Sequence, residues 1–97
     1  MRIEDKRAAT TTICADVGVP QGLEELCQRR LDGCADSYAT SRDIEDRHAP
    51  TEILEEVADI LNIAAMAERI GKLGQATAHK LAFHAKAMYA ILQTPEA

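Results

Sequence analysis

The stretch Glu52–Leu61, EILEEVADIL, decides the fold class because it carries acidic and apolar residues at helical spacing. Ile53, Val57, Ile60, Leu61 and Ala64 recur in three- and four-residue steps and so cover one broad side of a helix. Pro50 suits the first turn of that helix, and Glu52, Glu55 and Glu56 suit its positive N-terminal end. Glu56 and Asp59 lie one turn apart, as do Glu52 and Glu56, and Glu55 and Asp59, so the carboxylates can approach one cation. Beyond Asp59, Ile63, Met66 and Ile70 run along the flank of Glu56 and Asp59. A helix that is apolar nearly all round needs more covering than a small monomer supplies.

Working outward, three further helical segments are predicted: 2–15, 23–38 and 75–92, alongside 51–70. The first is weak, with Ile3 and Ile13 as sparse anchors and Thr10, Thr11 and Thr12 in succession. GVPQG, residues 18–22, is a turn. The second helix has a stripe of Leu23, Leu26, Arg30 and Cys34, and the polar residues Ala39–Pro50 connect it to the third. GKLG, residues 71–74, breaks the chain before a fourth helix with Leu81, Phe83, Met88, Ile91 and Leu92 to bury, which Pro95 ends. No stretch alternates as a strand does. The reading is a single all-α domain, a helical bundle, with the second and third helices antiparallel.

Composition narrows the function. The chain has 97 residues, 46% of them hydrophobic, only three aromatic side chains, and abundant alanine, which predicts closely packed helices. The net charge of −5 disfavours nucleic acid and anionic membranes as partners. No run is long enough to span a membrane and the N-terminal MRIEDKRAA lacks a signal-peptide core, so a cytoplasmic location is expected. Cys14, Cys27 and Cys34 lack a paired metal-ligand spacing and read as reduced, buried or half-buried thiols.

Clustered carboxylates at the mouth of a packed interior repel one another, a strain that Mg²⁺ with its preference for oxygen ligands relieves. Neutralising Glu56 or Asp59 is therefore expected to leave the fold intact and even to stabilise it. The sequence Glu56-Val-Ala-Asp59-Ile-Leu, followed by Ala67-Glu-Arg-Ile-Gly71, resembles the second metal-binding helix of the MazG-like nucleoside triphosphate pyrophosphohydrolases, which are all-α. Glu24-Glu25-Leu-Cys-Gln28 is similar to that family's first element, Glu-Glu-x-x-Glu, with Gln28 at the final Glu position. Lys80-Leu-Ala-Phe-His84-Ala-Lys86 resembles its Lys-rich stretch, with His84 in place of an Asn.

The resemblance implies Mg²⁺-dependent hydrolysis of a nucleoside triphosphate, a dNTP by preference, to monophosphate and pyrophosphate. It implies Glu56 and Asp59 as catalytic residues, with Glu25, Gln28, Glu56 and Asp59 holding Mg²⁺. Glu24, Glu52 and Glu55 are additional acids there, and Lys80, His84 and Lys86 offset phosphate charge. It also implies a homodimer or homotetramer. The competing reading is a non-enzymatic helical oligomer that acts as a protein-interaction module, its acids only a soluble rim. A small DNA-binding regulator ranks lower, because Glu24 and Glu25 precede Arg29 and Arg30 on a helix that follows a turn, and would repel phosphates. A ferritin-like iron site wants a Glu-x-x-His element on its carboxylate helices, and neither 23–38 nor 51–70 contains a histidine.

Overall fold

A computed structural model describes residues 1–32 and 48–94, and the described chain is all-helical. Four helices follow in order: α1 (Ile3–Val17), α2 (Gln21–Leu31), α3 (Ala49–Arg69) and α4 (Gln75–Gln93). The second helix starts two residues before the sequence reading places it and stops at Leu31, since Asp32 has already turned. Its predicted continuation over 33–38, Cys34, most of the connector and Pro95 lie outside the described residues. Ala49, read as connector, belongs to α3, and Pro50 lies in its first turn, where the sequence places it.

Local chemistry sets the breaks. Gly18 takes a left-handed φ of 73°, and Val19 N–H reaches back to the Cys14 carbonyl at 2.9 Å, so α1 ends in a Schellman turn. Lys86 Nζ on α4 donates to the Val17 carbonyl at 3.3 Å and places a cation on the negative end of that helix. Pro20 then presents its carbonyl to the N–H groups of Leu23 and Glu24 and opens α2. The break between α3 and α4 repeats the first solution, with Gly71 at φ 76° and Lys72 N–H bonded to the Ala67 carbonyl at 2.8 Å.

The antiparallel course of α2 against α3 shows in their contacts. Cys27 pairs with Ala58 and Asn62, whereas Arg30, one turn later, pairs with Glu55 and Asp59, one turn earlier. Between the helices lies a core of Ala9, Ile13, Cys14, Leu23, Cys27, Val57, Ala58, Leu61, Ala65, Ala78, Ala82 and Ala85. Half of these are alanines, so backbones approach closely rather than being held apart by large side chains.

That packing overturns two expectations from periodicity. On α3, Val57, Leu61 and Ala64 are buried, but Ile53 and Ile60 stand outside the core. On α4 the buried line is Ala78, Ala82 and Ala85, while Leu81, Phe83 and Ile91 are exposed and Met88 and Leu92 half-buried. The reason is geometric. A face of small residues lets α4 lie close to its neighbours, and on α3 Ala58, Ala64 and Ala65 share the buried face with Val57 and Leu61, so Ile53, Ile60, Leu81, Phe83 and Ile91 stand outside it.

One polar bridge ties three helices inside this core. Thr10 Oγ1 of α1 donates to Asn62 Oδ1 of α3 at 2.7 Å, and Asn62 Nδ2 donates to the Cys27 carbonyl of α2 at 3.0 Å. Both side chains are buried, so the threonine run that weakens α1 as an isolated helix supplies the group that anchors it.

Candidate functional site

The acids of α2 line a cleft that Glu56 and Asp59 of α3 do not. On α2, Glu24, Glu25 and Gln28 line an open cleft of about 670 Å³ together with Val19, Gln21 and Arg29. Glu25 is exposed and accepts a hydrogen bond from Gln21 Nε2 at 2.9 Å. Gln28 turns toward α1, where its Oε1 accepts from Arg7 at 3.1 Å and its Nε2 donates to Thr11 Oγ1 at 3.3 Å. A carboxylate at position 28 would lose that donor, which gives the departure from the Glu-Glu-x-x-Glu pattern a structural role in this chain.

Asp59 faces the other side of α2. Arg30 Nε and one terminal nitrogen donate to its two oxygens at 3.0 and 2.8 Å, and Glu55 lies 3.7 Å from the same guanidinium. The Arg30 side chain is 8% exposed and Asp59 32%, so this fork is half withdrawn from water. Glu52 is half-buried nearby in sequence, whereas Glu56 is exposed. Glu56 thus parts from Asp59: one points to solvent along an apolar flank, the other holds an arginine.

These donors do not fit a shared Mg²⁺. Among the described residues no group of three or more His, Cys, Asp or Glu side chains is placed to hold a metal ion. A protein cation already sits against Asp59 and Glu55, and Gln28 is committed to α1. The structure sets an opposite charge, the Arg30 guanidinium, against the Asp59 carboxylate that was expected to be relieved of repulsion.

The basic candidates are divided too. Lys80 and His84 line a shallow cleft of about 400 Å³ with Asp16, Val17, His79 and Phe83. His79 Nε2 lies 3.4 Å from the Asp16 carboxylate, and the Phe83 and His84 rings meet edge to face with centroids 6.1 Å apart. Lys86 belongs to the cap of α1. None of Glu25, Gln28, Glu56 or Asp59 lines that cleft.

The feature that the sequence reading underweighted is a line along α3. Ile53, Glu56, Ile60, Ile63, Ala67 and Ile70 follow one another at alternating steps of three and four, the a and d positions of a heptad repeat. Ile53, Ile60, Ile63 and Ile70 are 41–62% exposed, and Glu56 is exposed among them. The full spacing was readable, but assigning Ile53 and Ile60 to the core hid it.

No helix of the described residues is long and apolar enough to cross a membrane. Comparison with protein-family models, curated proteins and solved structures finds no match to this chain.

Proposed function

We propose that the chain is a helical protein-interaction module that assembles through the exposed face of α3. One observation carries this reading: four isoleucines stand outside the core on a single heptad line, although half of the core residues are alanines. Exposed apolar side chains scattered singly are ordinary, but a contiguous line of them marks an association surface. The Arg30–Asp59 fork and the Thr10–Asn62–Cys27 bridge serve this function by fixing α3 against α2 and α1. Sedimentation at micromolar concentration tests the reading. Wild type is expected to contain more than one chain per particle, and Ile60→Asp/Ile63→Asp to give single chains of unchanged helicity. Single chains for wild type across that range would remove the reading.

A second reading is Mg²⁺-dependent hydrolysis of a nucleoside triphosphate to monophosphate and pyrophosphate. It is favoured by the direct packing of α2, bearing Glu24 and Glu25, against α3, bearing Glu56 and Asp59. The described donors do not assemble a cation site, so it ranks below the module reading. Pyrophosphate release from a panel of triphosphates, with and without Mg²⁺, tests it. Release that needs Mg²⁺ and is lost in Glu56→Gln would reinstate it, whereas equal background in all arms would end it.

A further inference from the structure

We infer that the occupant of the α3 face is a second copy of this chain, laid antiparallel, with a two-fold axis beside Ile60 and Ile63. The inference rests on the assembly reading above and specifies partner, stoichiometry and direction. In an antiparallel pair of helices, a positions of one strand meet d positions of the other. Centring the axis between Ile60 and Ile63 puts Ile60 against the partner's Ile63 and Ile53 against the partner's Ile70. It also puts Glu56 against the partner's Ala67. Every exposed isoleucine of the line then meets an isoleucine, over a length of about 26 Å.

Glu56 decides the direction. In a parallel, in-register pair, Glu56 would face its own copy across the axis, two carboxylates with apolar neighbours on either side, an arrangement that like charges oppose. In the antiparallel pair it faces the smallest residue of the line, whose short side chain leaves the carboxylate a path to water. Charge along the chain agrees. Between Ala49 and Glu68 the helix contains acids and no Lys or Arg, whereas Arg69 and Lys72 are at its far end. Antiparallel pairing brings the acidic start of one α3 toward the exposed Lys72 of the other, and parallel pairing lays acid along acid. A two-fold axis also makes the contact self-complementary, so the face closes on two chains rather than growing into a filament.

Disulfide trapping in the full chain tests this, with Cys34 replaced by Ser and diamide as oxidant. A mixture of Glu56→Cys and Ala67→Cys chains is expected to give a 56–67 heterodisulfide, identified by mass spectrometry of the linked peptides. Ala67→Cys alone is expected to give none, since the two copies would be about 16 Å apart along the axis, far beyond disulfide reach. Ready homodisulfide formation by Ala67→Cys would overturn the inference in favour of a parallel pair. A particle of three or more chains in sedimentation would overturn it as well, and both results leave assembly through α3 standing. Single chains at every concentration would overturn both. An independent variant avoids the cysteines: Glu56→Leu is expected to tighten the dimer roughly tenfold by removing the only charge from the line. Weaker association of Glu56→Leu would mean that Glu56 has a partner across the interface, which contradicts the Ala67 pairing.

Discussion

Arg30 grips Asp59 through two parallel hydrogen bonds, Nε to Oδ1 at 3.0 Å and a terminal nitrogen to Oδ2 at 2.8 Å. The pair joins α2 to α3 at the place where the sequence suggests a metal ligand. Arg30 is the more buried partner, so neutralising Asp59 weakens two charge-assisted hydrogen bonds to a cation that water reaches poorly. Asp59→Asn is expected to destabilise the fold by about 1–2 kcal/mol, with Glu55 retaining part of the charge compensation. A urea unfolding midpoint above that of wild type would show that repulsion among the acids outweighs this fork.

The buried bridge makes a sharper demand. Thr10→Val keeps the shape of the side chain but removes the hydroxyl that donates to Asn62 Oδ1. The loss is expected to cost about 1–2 kcal/mol, because the Asn62 oxygen is left buried without that donor. Asn62→Leu strands two groups, the Thr10 hydroxyl and the Cys27 side of the bridge, and should cost more than Thr10→Val. The double variant Thr10→Val/Asn62→Leu should recover part of the difference, since it removes both members of the Thr10–Asn62 pair. Strict additivity of the two changes would contradict the bridge.

A close approach at the start of α2 offers a test of packing. A Cβ built on Gly22 would collide with the Tyr89 hydroxyl oxygen of α4. Gly22→Ala therefore has to displace the tyrosine ring. The clashing atom is the far end of a side chain that can swing aside, and alanine suits a helix better than glycine, so the expected net cost is at most about 1 kcal/mol. Tyr89→Phe should relieve most of it in the double variant, because the oxygen is the clashing atom. Thermal unfolding of the four chains checks this, and the same change of midpoint for Gly22→Ala in the wild-type and Tyr89→Phe backgrounds would refute the contact.

How much of this was legible beforehand depends on what each residue answers to. The helix around Glu52–Leu61 was legible because local spacing and the N-terminal acids agree with the fold. Breaks at Gly18 and Gly71 were legible because only a left-handed turn ends those helices as they do. The choice of buried face was not. Hydrophobicity ranks Ile53, Ile60, Phe83 and Ile91 as core, yet close helix packing selected Ala58, Ala65, Ala78, Ala82 and Ala85. The surroundings of the candidate residues were hidden for a related reason. Spacing along one helix shows that Glu56 and Asp59 are near each other, but it does not show that Arg30 of another helix claims Asp59. Nor does it show that Gln28 turns to Arg7 and Thr11.

The last prediction concerns pH and Cys27. This thiol is fully buried in the core, and its Sγ lies 3.7 Å from the Ala58 carbonyl. A hydrogen bond shared with Cys14 is the largest influence raising its pKa. Burial raises it further, and the charges of Cys14, Glu24 and Asp59 act in the same direction. The folded chain therefore holds Cys27 as the neutral thiol at pH values where the unfolded chain has released the proton. Below the unfolded pKa of about 8.5, both states bind the proton and this group adds no pH dependence. Above it, the unfolded state binds fewer protons, so the stability of the fold falls as pH rises. Wild type is expected to lose more stability between pH 7.5 and 9.5 than Cys27→Ala, by up to about 1.4 kcal/mol for the one unit that lies beyond the unfolded pKa. Cys27→Ala will start from a lower stability at pH 7.5, because it empties a packed position, so the slope with pH is the informative quantity. Urea midpoints at the two pH values provide it, and equal slopes for the two chains would show that Cys27 ionises as readily in the fold as outside it.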